Sequence, residues 1–302
     1  MTIFHALESD FSYALTENSA ILPDQRAGLY LWEMILKLRL HPYLLLSLVA
    51  VALLVSIWLN FILFGRGRQY YLELNETRLD PLGLSYYASE NERNPAESAK
   101  MTVVFFGDSR VTDWPSPSVS GRFQFVNRGI GAQTSAQTLQ RFNYHVKPLH
   151  PDIIILQVGI NDLKTIPLFP ERKEAIIANC KQNIRQIVTQ SVNIGAVVIL
   201  TTIFPAGEIP LERRLFWSPA VDQAIEEVNA YIRSLEAHNV IILNAYLLLT
   251  NQETVRQVYR DELHLNAKGY EVLNGELVHV LMTLDSDQRH SMQQLHRDHH
   301  RR

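Results

Sequence analysis

The 302-residue chain contains a single cysteine, Cys180, so no internal disulfide can form and the redox compartment is left open. Cys180 lies in a helical-looking stretch and reads as a core or helix-surface thiol rather than a reactive one. An excess of positive charge is also missing. The formal net charge of −3 lacks the basic surface of a general nucleic-acid binder, so no nucleic-acid partner is expected. No glycine-rich loop runs into a helix with Lys-Ser/Thr, and no His/Asp cluster has convincing metal-ligand spacing. Neither a cofactor nor a metal is therefore expected.

Charge is absent altogether from one segment. Tyr43 to Phe64 reads YLLLSLVAVALLVSIWLNFILF. As a helix it would extend about 33 Å, enough to cross a hydrocarbon layer of roughly 30 Å. A secretory signal is the main rival. It fits poorly, because the run begins more than forty residues into the chain and is followed by Gly-Arg-Gly-Arg rather than a small-residue cleavage site. A buried core helix would show a polar stripe, and Ser47, Ser56 and Asn60 hardly make one. The reading is a single membrane span at 43–64.

The rest of the chain divides around that span. Residues 1–42 form an N-terminal region in which Ala27 to Leu40, with a Glu33–Lys37 pair four residues apart, reads equally as an interfacial helix or as a helical extension. Residues 65–100 are polar and read as a tether. From Met101 short apolar, β-branched runs alternate with helical stretches. The strands are expected at 102–106, 123–127, 152–158, 196–203 and 239–245. The helices are expected at about 133–147, 171–193, 219–237 and 266–284. Nearly continuous hydrophobic strands separated by helices predict a parallel five-stranded sheet covered on both faces, a three-layer α/β/α domain over 101–284. Residues 285–302, ending His-Arg-Asp-His-His-Arg-Arg, lose the apolar period and read as a frayed, solvated tail.

In open parallel sheets ligands bind beyond the carboxyl ends of the strands, so the residues following each strand carry the chemistry. The first strand runs into Gly107-Asp108-Ser109, the second into Asn127-Arg128-Gly129-Ile130-Gly131-Ala132-Gln133-Thr134, and the third into Gly159-Ile160-Asn161-Asp162. Asp261-Glu262-Leu263-His264 precedes the last helix. Singly, each stretch reads as a turn or a helix cap. Together they bring a serine, an amide donor and an Asp/His pair to one rim. Serine needs a neighbouring base to take its proton, histidine titrates in the right range, and an aspartate can fix the histidine's tautomer.

The four stretches resemble, in order, the four signature blocks of the SGNH (GDSL-type) hydrolases, and the likeness spans about residues 101–284. Flanking text such as VNRGIGAQTSAQTLQRF resembles the lysophospholipase and arylesterase-like branches. The Gly-x-Ser-x-Gly elbow of the α/β-hydrolases is missing, which separates the two architectures. The resemblance implies a flavodoxin-like SGNH fold preceded by one transmembrane helix. It implies a serine esterase with Ser109 as nucleophile, His264 as base and Asp261 as the acid that orients it. It also implies three oxyanion donors: the Ser109 N–H, the Asn161 amide and a backbone N–H in the second block. The family's usual residue at that last position is glycine, and here it is Ala132. An alanine N–H serves if its φ is negative or the loop shifts by one residue, so Ala132 is the expected donor and Gly131 the fallback. Arg110 stands where many members have leucine; capping, pairing with Asp113 and reaching an anionic head group are its open roles. Asp108 and Asp162 read as carboxylates that fix loops.

The expected substrate is a carboxylic ester, an acyl lipid, a lysophospholipid or an O-acetylated envelope glycan, cleaved through an acyl-serine. Residues 204–219 after the fourth strand are expected to line part of its pocket. An O-acyltransferase using the same triad, and a catalytically weak binding domain on the same fold, are the alternatives. Arg26, Lys37 and Arg39 before the span face Arg66 and Arg68 after it, which tips the N-terminal region to the cytoplasm and the catalytic domain outside it.

Overall fold

The computed structural model describes residues 42–88, 100–119, 121–250 and 255–299. The N-terminal region, with its interfacial-helix alternative, lies outside the described residues. The chain divides into two compact units, Met1–Glu73 and Leu74–Arg302.

Helix α1 covers Pro42–Leu79 and is long and apolar enough to cross a membrane, with none of its apolar window buried in protein. Two polar side chains within its apolar stretch bond their own backbone: Ser47 Oγ donates to Tyr43 O at 2.7 Å and Asn60 Nδ2 to Ser56 O at 2.8 Å. The helix does not stop at Phe64. Residues 65–79, expected to be tether, continue it, because Gln, Leu, Glu and Arg are good helix formers and Gln69 bonds Glu73 one turn on. Polarity there marks a wetted helix surface, not a loose chain.

The second unit is built on five parallel strands in the order β2-β1-β3-β4-β5. They are β1 (Met101–Gly107), β2 (Phe123–Gly129), β3 (Ile153–Gln157), β4 (Val197–Thr201) and β5 (Val240–Leu243). Alternate residues of each strand enter opposite cores. Val104, Phe106, Ile154, Leu156, Val198 and Leu200 pack one face together with Ile177, Cys180 and Ile184, and with Val221, Ile225 and Val228. Val103, Phe105, Ile153, Ile155 and Ile199 pack the other with Trp114, Tyr270, Leu273, Leu277 and Leu281. Covered on both faces, the inner strands β1, β3 and β4 are apolar almost throughout, whereas the edge strand β2 carries Gln124, Asn127 and Arg128.

Between β1 and β5 the helices are α2 (Ser109–Thr112), α3 (Ser135–Gln140), α4 (Phe142–His145), α5 (Ile160–Leu163), α6 (Lys173–Asn193) and α7 (Pro219–Arg233). After β5 come α8 (Ala245–Leu249), α9 (Val255–Val258) and α10 (Ala267–His299). The single helix expected over 133–147 is divided, with α3 ending at Gln140, capped by Arg141, and a 3₁₀ turn at Lys147–Leu149 where Pro148 removes a donor. The last helix does not end near 284: its backbone stays helical through His299, so the expected frayed tail is largely helix.

The strand order reverses direction between β1 and β3, which places the topological switch point where their carboxyl ends diverge. Ser109 follows β1 and Asn161 follows β3, so they flank that point.

Candidate active site

The serine turn begins with a close approach. A Cβ on Gly107 would lie 1.8 Å from Gln157 O and 2.7 Å from Val111 Cγ2, so only glycine lets β1 lie against β3 while the chain turns. Asp108 caps α2, accepting from Arg110 N at 2.9 Å. Burial raises its pKa to about 6, opposed by the neighbouring Arg110. Ser109 thus sits at the first position of a capped turn, partly exposed at the rim.

His264 arrives from the far end of the domain. Its Nε2 lies 3.0 Å from Ser109 Oγ, and its Nδ1 lies 2.9 Å from both carboxylate oxygens of Asp261. The Asp261 Oδ1 also accepts the backbone N–H groups of Leu263 and His264 at 2.9 and 2.8 Å. Burial pushes the Asp261 pKa up, but the Leu263 N–H, the His264 ring and the His264 N–H outweigh it and hold the carboxyl below its ordinary value. The Asp-x-x-His spacing therefore makes a turn whose own N–H groups keep the acid ionised.

On the other side of Ser109, Asn161 is buried and donates through Nδ2 to Gln133 O at 3.0 Å. Gly131 and Ala132 are exposed, and a Cβ on Gly131 would lie 4.0 Å from Ser109 Cβ, so the second-block loop passes beside the serine. Ala132 has φ +60°. The negative φ that was one of the two conditions for its N–H is not met: the residue adopts the left-handed conformation that glycine, the family's usual residue there, favours, and alanine occupies it under strain. Asp162 fixes this loop, taking Ser135 N at 2.8 Å and Ser135 Oγ at 2.6 Å.

Arg110 does not pair with Asp113, whose partner is Arg260 at 3.0 Å. The Arg110 guanidinium is fully buried, donating Nε to Leu263 O at 2.8 Å and Nη1 to Phe204 O at 3.2 Å, and it stacks 5.0 Å from the centroid of the Phe204 ring. Tyr270 Oη returns a bond to Arg110 O at 2.8 Å. The residue after the serine therefore holds the carbonyl next to His264. Of the roles open to Arg110 in the sequence, neither pairing with Asp113 nor reaching a head group is taken; an arginine inside a capped motif turn was the available signal for a structural one.

Residues 204–216 lie along the same Asp-x-x-His turn. Gly207 N donates to Glu262 O at 3.0 Å, Arg213 pairs with Glu262 at 3.1 Å and Tyr259 Oη donates to Pro205 O at 2.6 Å. Leu211 and Phe216 are exposed on this loop. Among the described residues no group of three or more His, Cys, Asp or Glu could hold a metal ion.

No curated protein matches the sequence. Among solved structures, a Bacteroides fragilis protein assigned as an acylhydrolase superposes with a TM-score of 0.55 at 23% identity, covering 68% of this chain and 98% of that one. A GDSL-like lipase from Bacteroides thetaiotaomicron gives 0.51 at 23% identity, covering 67% and 98%. At such identities the likeness establishes the fold. The model of the GDSL-like lipase/acylhydrolase family matches residues 97–272, more than half the chain and every one of the four motif stretches. The chain therefore belongs to the GDSL-like lipase/acylhydrolase family and is a carboxylic ester hydrolase.

Proposed function

We propose that the enzyme is a membrane-anchored serine esterase that cleaves an acyl lipid, a lysophospholipid or an O-acetylated glycan through an acyl-serine. The observation that carries this reading is the unbroken chain of hydrogen bonds from Asp261 through His264 to Ser109. In the first half-reaction Ser109 Oγ attacks the ester carbonyl while its proton passes to His264 Nε2. Asp261 holds the Nδ1–H tautomer and stabilises the imidazolium. The oxyanion is taken by the Ser109 N–H, the Asn161 Nδ2–H that does not point at Gln133, and the Ala132 N–H, with Gly131 as the neighbouring alternative. His264 then protonates the departing alcohol. A water repeats the sequence, releasing the carboxylic acid and restoring the serine.

The anchor is supported by the length and unburied apolar surface of α1 and by polar side chains that satisfy themselves within the helix, as a lipid environment demands. The domain organisation follows: 1–42 cytoplasmic, the span from Tyr43, and the catalytic domain beyond it on the extracytoplasmic side, favoured by Arg26, Lys37 and Arg39. Short- and long-chain p-nitrophenyl esters offered to the detergent-solubilised chain test the chemistry. Ser109→Ala should abolish turnover and fluorophosphonate labelling at an unchanged melting temperature, and retained turnover would refute the assignment. Orientation is read by Ser118→Cys in a Cys180→Ala background. Labelling by an impermeant maleimide in cells with an intact inner membrane supports the proposed side; labelling only after lysis reverses it.

A further inference from the structure

Asp80 to Ala88, Asp-Pro-Leu-Gly-Leu-Ser-Tyr-Tyr-Ala, follows α1 and was expected to be tether. It is instead folded. The Asp80 carboxylate accepts Leu84 N at 2.8 Å and Ser85 N at 2.9 Å, closing a tight turn. That turn offers its carbonyls to the second-block region: Pro81 O accepts Gln137 Nε2 and Leu82 O accepts Gln133 Nε2, each at 2.8 Å. Leu84 O lies 3.3 Å from His145 Nε2. The Tyr87 hydroxyl donates to Gly129 O, and its buried ring lies 4.5 Å from the Arg128 guanidinium and edge-on to His145. A Cβ on Gly83 would come within 2.9 Å of Ile130 Cδ1 and 3.3 Å of Gln133 Nε2, so the fit is close.

Gln133 is where these contacts meet the site. Its Nε2 is bound by Leu82 O, its Oε1 by Arg141 Nε, and its main-chain carbonyl by the Asn161 amide. Arg141 in turn donates to Gly107 O at 2.7 Å and Arg128 O at 2.8 Å, tying the loop to the strand that ends at the serine. The residue before Gln133 is Ala132, held at φ +60°. A non-glycine residue keeps such a conformation only where its surroundings over-determine it. Residues 80–88 supply one wall of that surrounding and Arg141 the other.

We propose that residues 80–88 are a clasp that positions the oxyanion loop, making ester turnover dependent on the segment joining the apolar helix to the catalytic domain. Tyr87 and Gln133 are its positioning residues. The proposal rests on the reading of Asn161 and Ala132 as oxyanion donors. The test uses the full chain in detergent, with p-nitrophenyl acetate as substrate and Tyr87→Ala, Asn161→Ala, their double mutant and Ser109→Ala compared. Tyr87→Ala should lower kcat roughly tenfold or more while KM changes little, because a loop displaced by a fraction of an ångström weakens transition-state contacts first. In the double mutant the losses should combine to much less than their product, since both act on one oxyanion hole. Wild-type kcat in folded Tyr87→Ala, a change confined to KM, or losses that multiply would overturn the clasp. Should Tyr87→Ala not fold, Tyr87→Phe and Gly83→Ala carry the same measurement; the first removes one hydrogen bond, the second crowds Gln133. Turnover surviving in Ser109→Ala would overturn the site reading and the clasp with it, whereas an inactive Ser109→Ala beside a fully active Tyr87→Ala overturns the clasp alone.

Discussion

Ala132→Gly isolates one departure of this site from its family. The left-handed conformation costs an L-residue about 1–2 kcal/mol through the contact of Cβ with the following carbonyl. Glycine escapes that contact but loses about 0.5–1 kcal/mol more conformational freedom on folding. With φ at +60° the first effect is the larger, and the variant should be more stable by about 0.5–1 kcal/mol. For a domain of this size that is a rise in melting temperature of about 1–4 °C. Ala132 is exposed, so removal of its methyl leaves no cavity to offset the gain. The N–H keeps its direction, and kcat should stay within about twofold, because the donor contributes through its position and not its side chain. Thermal melts in one detergent, paired with initial rates on a p-nitrophenyl ester, make the comparison. A lower melting temperature would mean that Ala132 does not occupy the left-handed region. A large fall in kcat at raised stability would mean that the methyl itself holds the loop in register.

Four further outcomes follow from the geometry. His264→Ala should be as damaging as Ser109→Ala, the double mutant no worse than either, and Asp261→Asn should retain weak turnover; single losses that multiply in the double mutant would deny a shared mechanism. Asn161→Ala should lower kcat by roughly 10²-fold with KM little changed, and a pure KM effect would make Asn161 a substrate-binding residue. Arg110→Met should strand the buried Phe204 carbonyl, costing about 1–3 kcal/mol, with less for the half-buried Leu263 carbonyl, and should slow turnover by loosening the His264 turn; unchanged melting and kcat would refute the role assigned to it. Burial, with the nearby Arg141 and Arg128 charges, lowers the His145 pKa against the opposing Leu84 carbonyl and Asp80. Below the ordinary imidazole value of about 6.5 the unfolded chain takes a proton that the folded one refuses, so this contribution to stability falls as pH drops from 6.5 toward the lowered value. Melting of wild type against His145→Gln at pH 7.5 and 6.0 checks the sign, the wild type losing more on acidification; equal losses would place no such titration at His145.

The architecture was legible because both faces of the sheet are covered. Runs such as Ile153–Leu156 must be apolar at every position, and that pattern appears in one dimension. The candidate site was legible for a related reason. Its members follow strand ends, and a parallel sheet gathers strand ends at one edge, so linear order already implied proximity for Ser109, Asn161 and the second block. The Asp261–His264 spacing closes within a single turn and needed no fold to be recognised.

The tertiary structure decided what depended on partners distant in sequence. The role of Arg110, open in the sequence, was decided by a carbonyl 153 positions away at Leu263 that its guanidinium meets. Residues 80–88 looked like tether because they fall within 65–100, a stretch that as a whole is polar and rich in Asn, Glu and Arg. They are ordered by the carbonyl acceptors they offer to Gln133, Gln137 and His145, and backbone carbonyls leave no trace in composition. The sign of φ at Ala132 was likewise invisible, since an alanine ordinarily takes a negative φ and only the loop's closure beside Ser109 imposes the other sign. What the sequence by itself determined was the set of layers and the rim where chemistry gathers, because periodicity and spacing are local. How that rim is held in register was decided by long-range hydrogen bonds, which a linear pattern cannot record.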